Sequence, residues 1–392
     1  MTGPTGDRAA VLRALLDICG PGFARVAGAA DTVAGRQAGF VAAPGDPDAV
    51  VALLSLAAAK GHAVVPRGAG TKLDWGAAPS GVDLLLDTGR LAGVGRHLGD
   101  GSSVRVGAGT PVRAVQAILA GRGRRWAVDP PSGQATVGGV LAIDEAGPLR
   151  HRFGSPCDQL LAVRQVGYDG GVDEAAGPLV RDLCGRHGGA GVLLSATVQV
   201  EPLPEARLWV SRSVRSPLEV HHLVRAALDA DLSPAAVEVD LPARTAAPRG
   251  RVPGSLAVLV EGPPRVVRER AAALVAVLGG DAAAAAAAPP WWGRYPFTAG
   301  EVAVRITVPI ADLYAAVYAL SDATGADVPV RGSAGVGVVH AALAGDTAPE
   351  RVGEILDAVR GVLMARGGRC VVIAAPAALR AVVDLEGDAA SD

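Results

Sequence analysis

The chain has 392 residues, half of them hydrophobic but only 3% aromatic, so there is ample material for a core of two or three domains built largely from Ala, Val and Leu. A formal charge of -2, with no basic stripe interleaved with aromatics, excludes an electrostatic footprint for nucleic acid. The four cysteines, at 19, 157, 184 and 370, are too scattered for a zinc knuckle, an iron–sulfur cluster or a disulfide framework, and they are expected to be reduced and mostly buried. The N-terminal stretch lacks the long apolar core of a signal peptide and no run is long enough to cross a bilayer. The expectation is a cytoplasmic protein with no transmembrane segment.

In chain order, residues 1–35 read as a short helix, Leu12 to Ile18, followed by glycine- and alanine-rich sequence. Asp46-Pro47 supplies an N-cap and a first-turn proline for a helix from Ala49 to Lys60, which ends at Gly61. Ala63-Val64-Val65 reads as a strand feeding the stretch Pro66-Arg67-Gly68-Ala69-Gly70-Thr71-Lys72. Val82–Asp87 and Val104–Val106 read as further strands. Thr110-Pro111 reads as the cap and first turn of a helix carrying Val115, Ile118 and Leu119, which stops at Gly121.

The region from Leu160 through Val200 is rich in strand pattern, with Gly188-Gly189-Ala190-Gly191 before Val192-Leu193-Leu194. Glu201-Pro202-Leu203-Pro204 marks a boundary. Beyond it come strands at Leu208–Val210, Ala236–Val239 and Leu256–Gly262 and helices at Pro217–Leu228 and Val266–Leu278. The tract Ala282–Ala288 reads as a helix end or linker.

The chemistry-bearing signal lies in the glycine clusters. Exposed backbone amides in the turn at 66–72 suit a phosphate, although the same residues also make an ordinary tight loop. Gly107-Ala108-Gly109-Thr110-Pro111 and Asp129-Pro130-Pro131-Ser132-Gly133 with Thr136-Val137-Gly138-Gly139 recur in the same half of the chain. Gly138-Gly139 permits close backbone approach to a planar ligand, and Thr136 offers a hydroxyl at its edge. The spacing does not give the three-glycine dinucleotide fingerprint, which disfavours a nicotinamide domain.

These stretches resemble the flavoproteins that bind FAD in a PCMH-type, vanillyl-alcohol-oxidase-like domain, and within them the E subunit of glycolate oxidase. The likeness rests on PRGAGTKLDWG at 66–76, VGAGTP at 106–111, DPPSGQATVGGVLA at 129–142, AGPLRHRFGSP at 146–156, GGAGVLLSATVQVEPLP at 188–204, WWGRYPF at 291–297 and VRGSAGVGVVHAAL at 330–343. The resemblance implies an α+β chain: an N-terminal helical segment (1–35), a two-part FAD-binding domain (36–204), a smaller α+β cap-like domain (205–376) and a short tail (377–392). It implies FAD held by Pro66, Arg67, Gly68, Ala69, Gly70, Thr71, Pro131, Ser132, Thr136, Gly138, Gly139, Gly191 and Val192. No histidine follows the first loop's glycine, so the flavin would be non-covalent.

The implied activity is oxidation of a 2-hydroxy acid such as glycolate or lactate, by the chain itself or by a complex with a larger flavoprotein or iron–sulfur subunit. Arg294, Tyr295, Arg331 and His340 are the candidate substrate and catalytic groups, because a carboxylate wants an arginine and a hydroxyl proton wants a base. No metal ligand set is expected. Two departures from the pattern matter. The segment after Gly167-Tyr168-Asp169 is shorter than in such proteins, and Asp144-Glu145 puts two acids where small neutral residues are usual. Carboxylates beside a pyrophosphate oppose its charge unless they turn outward. The alternative is therefore a structural subunit in which FAD binding is weakened or lost.

Overall fold

The computed structural model describes residues 4–98, 101–243 and 253–387. The chain divides into two compact units, one of residues 1–74, 78–146 and 154–203, the other of residues 75–77, 147–153 and 204–392. The expected mixed α and β organisation is observed, whereas the end of the tail, 388–392, lies outside the described residues.

The first unit is built on two larger sheets, beside two two-stranded ribbons that pair Thr32–Val33 with Arg36–Gln37 and Arg124–Arg125 with Glu201–Pro202. In the four-stranded sheet, β1 (Ala24–Val26) runs antiparallel to β2 (Phe40–Ala42), and β2, β4 (Leu84–Asp87) and β3 (Val64–Arg67) are parallel, in the order β1-β2-β4-β3. Alternation puts Phe40, Ala42, Leu84 and Leu86 against helices α1 (Pro4–Cys19) and α2 (Pro47–Lys60), and Val41 and Leu85 into a second apolar cluster. Helix α2 starts where Asp46 accepts the Ala49 amide and stops at Gly61, whose φ of 65° suits glycine.

The second sheet is five-stranded and antiparallel. Its strands are β5 (Val94–Leu98), β6 (Ser103–Gly107), β7 (Leu160–Val166), β8 (Val172–Ala176) and β9 (Val192–Gln199), in the order β8-β7-β9-β6-β5. Helices α3 (Val112–Ala120) and α4 (Val137–Ile143) pack Val115, Leu119, Val140 and Leu141 onto it around the fully buried Trp126. The expected Thr110 cap of α3 is not made. Pro111 holds that position, while the Thr110 hydroxyl pairs instead with both backbone groups of Gly93.

The second unit is an eight-stranded antiparallel sheet. It comprises β10 (Ala206–Val214), β11 (Ala236–Leu241), β12 (Gly254–Gly262), β13 (Ala283–Ala285), β14 (Val302–Thr307), β15 (Val330–Ser333), β16 (Val338–Leu343) and β17 (Arg369–Ala374), in the order β13-β10-β12-β11-β15-β16-β14-β17. Helices α5 (Pro217–Asp229), α6 (Pro264–Leu278), α7 (Leu313–Thr324) and α8 (Pro349–Met364) share one core with Val239, Val304, Ile306, Val330 and Val339. Val220, Leu223, Val224 and Ala227 give α5 the i, i+3, i+4, i+7 stripe that seats it there.

Two expectations are corrected. The polyalanine tract is an edge strand, with Ser211 opposite Ala283 and Trp209 opposite Ala285. Alanine's helix preference yields there to ladder bonds with β10. Cys157 and Cys184 form a disulfide (Cα–Cα 5.8 Å) while Cys19 and Cys370 are buried thiols. The pairing was illegible because 27 residues separate the two sulfurs, and the end of α4 brings them together. Gly185 and His187 donate to Leu141 and Ala142 there, and Cys157 donates to Asp144.

A bridge across a loop of that length constrains the unfolded chain by about 3 kcal/mol. Cys157→Ser is expected to lower the melting temperature by about 5 °C or more under oxidising conditions, and reductant to do the same to the wild type. Melting curves insensitive to both changes contradict the bridge.

Candidate functional site

The first glycine loop begins where β3 ends, at Arg67. Its guanidinium donates to Asp31 at 3.0 Å and to Asp87 at 2.8 Å, and Arg25 also clamps Asp31 at 2.6 Å. Burial alone disfavours the Arg67 cation, but the two carboxylates outweigh it and raise its pKa. The hydrogen bond from Arg25, helped by the Gly28 amide and Arg67 and opposed by burial, holds the Asp31 carboxyl well below the usual range.

Past Arg67 the chain opens. Among the described residues the amides of Ala69 and Gly70 donate to no protein acceptor, and Gly70 adopts a φ of 74°. Gly68 lies so close to Thr136 that an added Cβ would collide with its hydroxyl. Thr136 in turn caps α4 by accepting the Gly139 amide at 3.2 Å, and a Cβ at Gly138 would meet that of Ala108 at 2.9 Å. The structure thus joins three of the sequence clusters, at 66–71, 107–110 and 131–139, in one place.

Lys72 and Glu145 complete this region. Lys72 Nζ lies 2.9 Å from Glu145 Oε1 and also donates to Ser132 Oγ, and the same carboxylate oxygen accepts the Ser132 amide at 3.1 Å. Burial pushes the Lys72 ammonium below its ordinary pKa, partly countered by Glu145. Glu145 therefore turns inward with its charge neutralised. Asp144 caps α4 in the left-handed region, at φ 52°, and accepts the Cys157 amide. Ligand atoms of Asp144, Cys157 and Cys184 lie within 4.8 Å of one another, but the two sulfurs are bonded to each other.

Gly191 has a φ of 137° and stands against the Val166 carbonyl, while the Val192 side chain is buried in the α1–α2 core. Only backbone of that pair can face a ligand. The neighbouring Gly188 approaches Pro66, since a Cβ there would lie 3.7 Å from the proline ring. The shortened segment at 167–183 forms a hairpin into β8 and a 3-10 turn over Gly177–Asp182.

A second cluster lies on the sheet of the second unit, on the face turned away from α5–α8. Directly opposed residues share a face, so Arg305, His340, Arg331 and Asp240 form one row across β14, β16, β15 and β11. Arg331 binds Asp240 at 2.7 Å and the Tyr295 carbonyl at 3.0 Å. The Tyr295 ring packs edge-on to His340 (5.0 Å), stacks on Phe297 (4.7 Å) and meets Trp75 (5.5 Å). Trp75 is fixed by its pairing with Ala374 of β17.

Tyr295, Arg331 and His340 thus come together, and Arg294 is exposed outside the cluster. Sequence reasoning missed Asp31, Asp87, Trp75 and Asp240, because ion pairs and ring contacts between distant segments leave no local pattern. His151, half-buried with its ring nitrogen against the Gly335 carbonyl and lowered in pKa by partial burial, was likewise only part of a quoted stretch. Trp291 and Trp292 pack on each other, and Trp292 on Trp209.

Residues 38–175 match a family model described as an FAD binding domain. The chain is 26% identical over 171 residues to a D-lactate dehydrogenase of Archaeoglobus fulgidus, covering 41% of this chain and 38% of that one. It is 32% identical over 117 residues to the glycolate oxidase subunit GlcE of Escherichia coli, covering 27% and 33%. The aligned part therefore spans only about a third to two-fifths of these curated relatives. An alkyldihydroxyacetonephosphate synthase shares the fold, with a TM-score of 0.67 at 16% identity, over 85% of this chain and 72% of the other. The first unit thus contains a PCMH-type FAD-binding fold, distantly related to 2-hydroxy-acid dehydrogenases, and no helix among the described residues is long and apolar enough to cross a membrane.

A depressed carboxyl pKa contributes stability that is present above the unfolded value, near 4, and lost as pH falls through that region. Asp31→Asn is expected to cost about 2 kcal/mol at neutral pH and to flatten the acid side of the stability profile. A variant with the wild-type acid limb contradicts the role given to Asp31.

Proposed function

We propose that this chain is a flavin-dependent oxidoreductase, or the FAD-binding subunit of one, acting on a 2-hydroxy acid. The observation that carries the reading is the loop at 67–71: a rigidly held arginine followed by the Ala69 and Gly70 amides, which among the described residues donate to no protein acceptor, closed against Thr136. Such a donor set fits the pyrophosphate of FAD, held non-covalently. Arg67, Gly68, Ala69, Gly70 and Thr71 bind it, with Pro66 shaping the entry. Pro131, Ser132, Thr136, Gly138 and Gly139 continue around the cofactor, and Gly191 and Val192 contribute backbone.

Bound FAD supplies the two-electron oxidation. The row in the second unit carries groups of the kind a 2-hydroxy acid asks of the protein. Arg331, oriented by Asp240 and the Tyr295 carbonyl, holds the substrate carboxylate, and Arg305 adds a second cation beside His340. His340 takes the hydroxyl proton, and Tyr295 positions its ring. Arg294 is assigned to the approach rather than to the reacting centre. The names of the two relatives, a D-lactate dehydrogenase and a glycolate oxidase subunit, support the 2-hydroxy-acid class. The word subunit in the second name supports assembly with another chain, which we take to be a larger flavoprotein or iron–sulfur subunit.

A second reading is favoured by the charge state of the cradle. Arg67 and Lys72 are both paired with carboxylates, and Glu145 lies buried beside Ser132. On that reading the chain is a structural subunit whose flavin affinity is weakened.

The visible absorption spectrum of desalted protein decides between them. Retained flavin bands, bleached by a 2-hydroxy acid without air, are expected of the wild type. Gly68→Ala, which drives a methyl into Thr136, is expected to lower retention about tenfold or more. Folded wild-type protein that retains no added FAD overturns the first reading in favour of the second.

A further inference from the structure

The end of α4 gathers ligand-type side chains that the flavin reading leaves unused. Asp144, Cys157 and Cys184 each offer one atom there, all within 4.8 Å of one another. Backbone bonds that owe nothing to the sulfur–sulfur bond hold the three residues together. The Cys157 amide donates to Asp144 Oδ1 at 3.0 Å, and the Gly185 and His187 amides, just past Cys184, donate to the Leu141 and Ala142 carbonyls at 2.9 and 2.7 Å. Opening the bridge therefore leaves two thiols and a carboxylate facing one another on a fixed frame. Cys184 is buried whereas Asp144 and Cys157 are half-buried, so the group is closed on one side and open to solvent on the other.

We infer that the reduced chain binds a thiolate-seeking divalent cation, zinc above all, at Asp144, Cys157 and Cys184, and that oxidation to the disulfide abolishes the site. Thiolate ligands select such ions against magnesium and calcium. Zinc takes sulfur at about 2.3 Å in tetrahedral geometry, which sets two ligand sulfurs about 3.8 Å apart. A Cα separation of 5.8 Å accommodates that spacing by side-chain rotation. Water fills the fourth, solvent-facing position, and the Cys157 amide orients the carboxylate from the outer shell. The two states interconvert by thiol–disulfide exchange. A thiolate of a small dithiol attacks Cys157 Sγ, the more exposed sulfur, and Cys184 leaves as a thiolate. The second thiol of the reductant then displaces Cys157 and departs as a disulfide, so two electrons pass from the dithiol to the bridge. Zinc binding releases the two cysteine protons.

Full chain reduced with a dithiol, then freed of it without air, is titrated with zinc and with cobalt(II) beside the oxidised chain. One tightly bound ion per reduced chain, a thiolate-to-cobalt charge-transfer band, and recovery by zinc of the melting temperature lost on reduction are expected. The oxidised chain shows none of these. Asp144→Asn tolerates the left-handed backbone and keeps the oxygen that accepts the Cys157 amide while removing the charge, and is expected to weaken zinc binding about tenfold or more. Cys157→Ser is expected to diminish the charge-transfer band, whereas Cys19→Ala with Cys370→Ala, which removes the two buried thiols, leaves it intact; thermal melting verifies that the variants fold. Reduced chain that binds no more zinc than the oxidised chain, a band unchanged in Cys157→Ser or lost with Cys19 and Cys370, or wild-type affinity in Asp144→Asn overturns the inference. None of these measurements involves FAD, so the flavin readings stand or fall separately.

Discussion

The guanidinium of Arg67, gripped by Asp31 and Asp87, fixes the direction in which the chain leaves β3, and the rest of the candidate cofactor site depends on that direction. One partner comes from the segment before β2 and the other from the end of β4, so the grip ties three separate stretches of chain to the mouth of the glycine loop. Removing either carboxylate leaves the cation with only one counter-charge, at the cost of about 2 kcal/mol expected of Asp31→Asn. With Arg67 fixed, Gly68 can approach Thr136 and the two following amides face outward.

The consequence is a cradle whose side-chain charges are compensated before any ligand arrives. Arg67 belongs to two aspartates and Lys72 to Glu145, so an incoming phosphate meets backbone dipoles rather than unpaired cations. Backbone donors need no reorganisation, which suits a cofactor held in one orientation. The same compensation removes the long-range attraction that loose arginines and lysines supply. Both readings of the chain follow from this single feature, because preorganised amides favour binding while a buried carboxylate opposes it.

Much of the scaffold was legible because its signals are local. Asp46-Pro47 and Gly61 bound α2, and the unbroken apolar run Leu84-Leu85-Leu86 marks a strand buried on both faces. The glycine clusters were visible as clusters, and their meeting at Thr136 follows from the fold. What escaped the sequence was long-range: the Cys157–Cys184 bridge, the inward turn of Glu145 onto Lys72, and the row of Arg305, His340, Arg331 and Asp240, whose members are set side by side only by strand register. Polyalanine at 283–285 misled because propensity points to helix there and edge pairing decides otherwise.

The central claim is that the Ala69 and Gly70 amides hold a diphosphate in a cradle of already paired side chains. Titrating the flavin-free chain with FAD and with riboflavin, which lacks the diphosphate and the adenosine, and repeating the FAD titration at raised salt, tests it directly. The account predicts FAD binding much tighter than riboflavin binding and only slightly weakened by salt, because the donors are dipoles rather than unpaired charges. Equal affinity for the two flavins, or an FAD affinity that collapses with salt, would contradict it.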